Sequence, residues 1–179
     1  ILQQLKSDIP LIETIIKHLI SSGGKRLRPL LVILFACACD YPEGTEHLEL
    51  ALIIEFVHTA TLLHDDVVDK SDRRRGKATA NAVWGNQASV LVGDFLYSRA
   101  FQILTQRSNV AVMNALSDTT NAIAEGEILQ LINQHDPDIN EQNYLDVIER
   151  KTAILFKSAA EIGAMIATDD KTHWQAAAQ

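Results

Sequence analysis

Apolar side chains recur along this chain at spacings of three and four rather than two, a pattern that predicts helices. Ile12, Ile15, Ile16, Leu19 and Ile20 form the first stripe, and Ser21-Ser22-Gly23-Gly24 ends it. Pro29, tolerated early in a helix, precedes a strongly apolar helix running to about Cys39. Asp40-Tyr41-Pro42-Glu43-Gly44 reads as a turn. From about Thr45 to Asp69 a long helix is apolar almost all round (Leu48, Ala51, Leu52, Ile53, Phe56, Val57, Ala60, Leu63), which predicts burial. The polar segment Lys70–Lys77 breaks the pattern, and helical text resumes near Ala78. Further helices read at 87–106, 110–133 and 141–167, with Asn140 as an N-cap and Asp169 as the cap of a last short helix. No alternating strand pattern, repeat or low-complexity segment is evident. The fold class expected is all-α.

Composition narrows the function classes. The 179 residues fit one compact domain. Sixteen Lys and Arg against 23 Asp and Glu give a net charge of -7, which argues against general affinity for nucleic acid or anionic membrane. The longest apolar run, Leu30 to Cys39, is too short to span a bilayer, so no transmembrane segment is expected. No charged-then-apolar leader opens the chain, and the absence of an initiator Met leaves open a start further upstream. Two cysteines exclude a disulfide framework; Cys37 and Cys39 read as buried thiols in a reducing cytoplasm.

Chemistry concentrates where the long helix ends. In His64-Asp65-Asp66-Val67-Val68-Asp69 the carboxylates of Asp65 and Asp69 are four apart and share a helix face. Acids at a helix C-terminus oppose the macrodipole, so a merely solvated acidic end is electrostatically poor. A compensating cation is needed, and hard carboxylate oxygens suit Mg²⁺ shared with substrate phosphates. Lys70, Arg73, Arg74, Arg75 and Lys77 follow at once; by themselves a solvated turn, after the aspartates they read as the phosphate-gripping half of an anion site. A second basic cluster, Gly23-Gly24-Lys25-Arg26-Leu27-Arg28-Pro29, opens another helix but is not a P-loop, because position 19 is Leu and position 26 is Arg. Two basic sites, one with metal ligands, suggest two phosphorylated substrates. His58 lies two turns before Asp65 on the same face; a core role and a functional one are about equally open. His64 beside Asp65 also invites a His-Asp metal phosphohydrolase reading, for which His18, His47, His135 and His173 lack supporting context.

Gly-Gly-Lys-Arg-Leu-Arg-Pro at 23–29, His-Thr-Ala-Thr-Leu-Leu-His-Asp-Asp-Val-Val-Asp at 58–69 and Arg-Arg-Gly-Lys-Ala-Thr at 74–79 resemble the trans-polyprenyl diphosphate synthases. Val92-Gly93-Asp94-Phe95-Leu96, Glu125-Gly126-Glu127-Ile128-Leu129-Gln130-Leu131 and Lys151-Thr152-Ala153 extend the resemblance in the same order. It is closest to the bacterial octaprenyl-forming members that supply the ubiquinone side chain. The resemblance implies an isoprenoid-synthase-type helical bundle and a cytoplasmic, homodimeric transferase. It implies that Asp65 and Asp69, with Asp66 beside them, serve catalysis, the first two through Mg²⁺ bound to the allylic (farnesyl-type) diphosphate. Arg74, Lys151 and Thr152 would serve that same allylic end. Lys25, Arg28, His58 and Arg75 would hold isopentenyl diphosphate. Ala60 and Thr61 stand where short-chain members carry aromatic floors, so small side chains there imply a long product; helix packing predicts the same letters.

One departure stands out. The family carries a second aspartate-rich motif on a later helix, and this sequence has none: Asp169-Asp170-Lys171-Thr172-His173 has His where a third Asp is required. Residues 1–179 would then be the N-terminal portion of a single prenyltransferase domain, poorly active alone. A non-catalytic helical partner of another synthase stays open as the alternative, disfavoured because Asp65, Asp69, Arg74 and Arg75 are all present.

Overall fold

The computed structural model describes residues 5–106, 109–134 and 136–179. Helices carry the fold: α1 (Pro10–Ser21), α2 (Leu27–Ala38), α3 (Glu46–Val68), α4 (Ala80–Trp84), α5 (Asn86–Thr105), α6 (Val110–Asn133), α7 (Glu141–Ile148), α8 (Ile154–Met165) and α9 (Lys171–Ala177). The all-α expectation holds. Against it stands one two-stranded antiparallel hairpin, β1 (Arg73–Arg74) with β2 (Lys77–Ala78), pairing Arg73 with Ala78 and Arg74 with Lys77. Strands of two residues are too short to show alternation, which is why the sequence pattern misses them.

Contacts divide the chain into two compact units. The first comprises the chain up to Arg26 with Leu52–Gln106; the second comprises Leu27–Ala51 with the chain beyond Gln106. In the first unit, Ile15 and Ile16 of α1, Ile53, Ile54, Phe56, Val57, Ala60 and Leu63 of α3, and Val92, Leu96 and Ala100 of α5 are all buried. Ser89 of α5 donates its hydroxyl to the Leu63 carbonyl at 3.0 Å, fixing α5 to the last turns of α3. In the second unit α2 packs on α8, where Gly163 has no Cβ to meet the Val32 carbonyl, which would lie only 2.5 Å away. Val32 and Ala36 face α8, so Cys37 turns outward. The buried-thiol expectation is corrected: Cys37 is exposed and Cys39 half-buried, both free, because the apolar run is only half covered. Leu48 is likewise exposed at the start of α3.

Gly85, at φ 85°, separates α4 from α5, in keeping with the separate helix read from 87. Two boundaries differ from the sequence reading. Asp170 rather than Asp169 caps α9, accepting from the Thr172 amide at 2.9 Å. The helix read at 141–167 is interrupted by a π-helical turn, Glu149–Ala153. Asn140 caps α7 as expected, accepting from the Asn143 amide at 2.8 Å.

Candidate active site

The end of α3 is built as a Schellman cap. The Asp69 amide donates to the Asp65 carbonyl at 2.7 Å, Lys70 to Val67 at 3.2 Å and Ser71 to Asp66 at 2.9 Å. Lys70 takes the left-handed position at φ 51°, where glycine is usual. The Asp69-to-Asp65 bond keeps helical register one residue past Val68, so Asp65 and Asp69 keep the shared face that the sequence implies. Asp65 is half-buried and Asp69 exposed.

Asp66 points elsewhere. It is 1% exposed, and its Oδ1 accepts from Arg74 Nε at 3.0 Å and lies 2.8 Å from Arg74 Nη2. Asn81 Nδ2 donates to the Asp66 carbonyl at 3.2 Å and to the Ser71 carbonyl at 3.1 Å. The basic hairpin is therefore bolted to the acidic helix end, not merely next to it in sequence. Its loop, Arg75-Gly76, has φ 51° and 79°, the two positive values of a type I′ turn. An arginine there is strained by about 1 kcal/mol.

The Gly-Gly-Lys segment meets that turn. Arg75 Nη1 donates to the Gly23 carbonyl. A Cβ on Gly24 would lie 2.6 Å from the same nitrogen, so the missing side chain is what admits the guanidinium. Lys77 Nζ donates to the Ser21 carbonyl at 2.7 Å, and His18 Nε2 lies 2.8 Å from the Ala78 carbonyl. Lys25 is exposed. Arg26, given no role by the sequence, is paired with the buried carboxylate of Glu55 on α3. Burial first, then the nearby Arg75 charge, lowers the Arg26 pKa.

Other predicted residues fall out as follows. His58 is half-buried on α3, its carbonyl accepting from the Thr61 hydroxyl at 2.8 Å; Ala60 is fully buried. His64 does not stand as a lone metal ligand: its Nε2 lies 3.3 Å from Asp94 Oδ1 and 3.2 Å from the Val90 carbonyl, its ring is stacked with Tyr97, and Gly93 leaves it room. His47 meets Tyr41, His173 pairs with Asp170, and His135 lies outside the described residues. Among the described residues no three His, Cys, Asp or Glu converge as a metal centre. Asp65 and Asp69 still suit a hard cation, since two carboxylates leave positions for waters and phosphate oxygens.

In the second unit Arg28 sits over the Phe156 ring at 4.1 Å, and burial lowers its pKa. Lys151 and Thr152 lie in the π-helical turn. Three successive residues of α6 fit it. Glu125 Oε2 takes Arg150 Nη1 at 2.7 Å, Glu127 Oε2 takes Lys151 Nζ at 2.9 Å, and Gly126 between them has no Cβ to strike Arg150 and Lys151. The sequence showed both the Glu-Gly-Glu and the Lys-Thr segments but not that they meet.

The fold and these motifs define a prenyl-synthase-type protein. The polyprenyl synthetase family profile matches residues 9–179, and the chain belongs to that family. It is 56% identical over 167 residues to the octaprenyl diphosphate synthase of Escherichia coli (strain K12), covering 93% of this chain and 51% of that protein. A decaprenyl diphosphate synthase from Rhodobacter capsulatus superposes with a TM-score of 0.95 at 46% identity, over 98% of this chain and 54% of that one. A polyprenyl synthase from Caulobacter crescentus CB15, solved with calcium and isoprenyl diphosphate, gives 0.94 at 43% identity, over 99% and 54%. The chain spans about half the length of the curated relatives it matches. No helix among the described residues is long and apolar enough to cross a membrane.

Proposed function

We propose that these residues form the N-terminal part of a Mg²⁺-dependent prenyltransferase, condensing isopentenyl diphosphate with an allylic, farnesyl-type diphosphate. The product is a long all-trans polyprenyl diphosphate, octaprenyl by its similarity to the octaprenyl synthases, made in the cytoplasm for the ubiquinone side chain. The observation that carries this reading is the Arg74–Asp66 bond, which joins a strained basic turn to the helix end bearing Asp65 and Asp69. Asp65 and Asp69 would hold Mg²⁺, whose charge offsets that building on the leaving diphosphate. Arg74, Lys151 and Thr152 serve the allylic diphosphate. Lys25, Arg28, His58 and Arg75 hold isopentenyl diphosphate. The allylic C–O bond breaks with its electron pair on the departing diphosphate, the homoallylic double bond attacks the cation, and the diphosphate takes the proton released. The side chains neutralise, orient and exclude water. Outward apolar residues on α5 and α6, Leu91 and Val110 among them, are consistent with a homodimer.

In the full-length protein Asp65→Ala is expected to lower turnover by ~10²-fold or more, as removal of a transition-state charge partner does. Arg75→Ala is expected mainly to raise the KM for isopentenyl diphosphate, ~10-fold, with kcat little changed. Steady-state kinetics with both diphosphates checks this, and an unchanged kcat in the Asp65 variant would sink the reading. Residues 1–179 alone are expected to elongate poorly, because one carboxylate wall supplies only part of the neutralisation needed. Ala60→Phe is expected to shorten the product on chromatography, if Ala60 and Thr61 set the chain length; an unchanged distribution removes them from that role.

A further inference from the structure

Glu55 is a carboxylate, 5% exposed, in the otherwise apolar middle of α3. Such a charge is tolerated only with a partner, and Arg26 is one. Reaching it requires unusual backbone. Gly23, Gly24 and Arg26 have φ 75°, 152° and 52°, so three of four successive residues take positive values, one of them a non-glycine. Arg75, at φ 51°, approaches the same turn from the hairpin and occupies the space beside Gly24. Two strained arginines are thus brought close enough for Arg75 to disfavour the charge on Arg26. Nothing in chain connectivity demands this approach, and left alone the two guanidiniums repel each other. Glu55 resolves the conflict from the buried side by neutralising Arg26. The charges of Lys25 and Arg75 are then left for an anion outside.

We propose that Arg26 and Glu55 are a positioning pair that fixes the Gly23–Arg26 turn so that Lys25 and Arg75 engage one diphosphate, Arg26 itself not touching it. This rests on the reading of Lys25 and Arg75 as the isopentenyl diphosphate site. A pair that served stability alone would also be buried, so the test must separate folding from anion affinity. Replacing both partners of a buried ion pair with apolar residues is often neutral for stability, whereas removing one is not.

The experiment compares the full-length parent with Arg26→Met/Glu55→Leu and with Arg26→Lys. Inorganic diphosphate binding is measured by calorimetry without divalent metal, which silences a metal-dependent allylic site. Thermal melts and both KM values are measured alongside. The double variant is expected to melt close to the parent yet bind diphosphate ~10-fold more weakly, with KM for isopentenyl diphosphate raised alike and kcat and the allylic KM within about twofold. Arg26→Lys, which keeps the charge and loses the planar fork, is expected to fall between the two. Parent-like diphosphate affinity in either variant, or a rise in both KM values together, would overturn the positioning role. A parent that forms no polyprenyl product refutes the proposed function instead, and the calorimetry still decides the pair. A parent that binds no diphosphate refutes both.

Discussion

The turn between α3 and the hairpin and the π-helical turn before α8 are made of the same chemistry, acids meeting bases where a helix departs from regularity. They differ in depth. In the first unit the acids are buried: Asp66 and Glu55 are 1% and 5% exposed, and their bases come from separate segments. In the second, the side chains of Glu125, Asp146 and Arg150 are 52%, 40% and 41% exposed. A buried charge that loses its partner must be desolvated without return, whereas an exposed one is rescued by water. Similar ion pairs therefore carry different weight: the first set is anchored on buried carboxylates, whereas the Arg150 pairs lie at the surface of their turn and only Glu127–Lys151 beside them is largely covered.

The largest test of this contrast is Arg74→Ala, which strands the buried Asp66 carboxylate. It is expected to cost ~3–5 kcal/mol, read as a fall of roughly 10 °C in Tm. Arg150→Ala, by contrast, is expected to shift Tm far less, and less still at high salt, where its exposed ion pairs are screened. Equal melting temperatures for the two variants would break the comparison.

Next in size is Gly126→Ala. Its Cβ would stand 2.8 Å from Arg150 Cβ and 3.0 Å from the Lys151 backbone nitrogen, atoms that move only with the turn itself. A loss of ~1–3 kcal/mol is expected. Gly76→Ala, with open space but φ 79°, is expected to lose only about 1 kcal/mol of conformational energy. Denaturant titration ranks the pair, and a larger loss at Gly76 would show that the π-helical turn yields freely.

The smallest effect is expected at Glu161 on α8. Burial raises its pKa above the usual 4.5, with Lys157 opposing. An acid raised in the folded state contributes fully below its unfolded pKa and loses that contribution as pH rises through the folded value. Glu161→Gln is therefore expected to stabilise slightly at neutral pH, by a few tenths of a kcal/mol after solvent screening. The gain should vanish below about pH 4. Melts of both proteins across that range check the sign, and a variant less stable at neutral pH would reverse it.

Most helices were legible because each buries a stripe: α1, α2, α3, α5 and α6 fall within a residue or two of their predicted limits. The acidic motif was legible as well, since Asp65 and Asp69 need only helical spacing to share a face. The hairpin was hidden because Arg73–Arg74 and Lys77–Ala78 are too short to have a period, and its turn uses Arg-Gly where Asn-Gly is the usual signal. The π-helical turn was hidden because one extra residue barely disturbs a stripe. Arg26 and Glu55, 29 positions apart, carry no local mark of each other; the one available clue was a lone acid inside an apolar helix.

By itself, then, the sequence determined where helices run and which chemical groups crowd the end of α3, because both are fixed by local spacing along one chain. Only the tertiary structure decided which carboxylate does what. Successive side chains on a helix point about 100° apart, so Asp65 and Asp66 cannot share a partner. Which of them turns inward depends on what packs there. The hairpin settled it by offering Arg74 to Asp66, which left Asp65 with Asp69 on the other face.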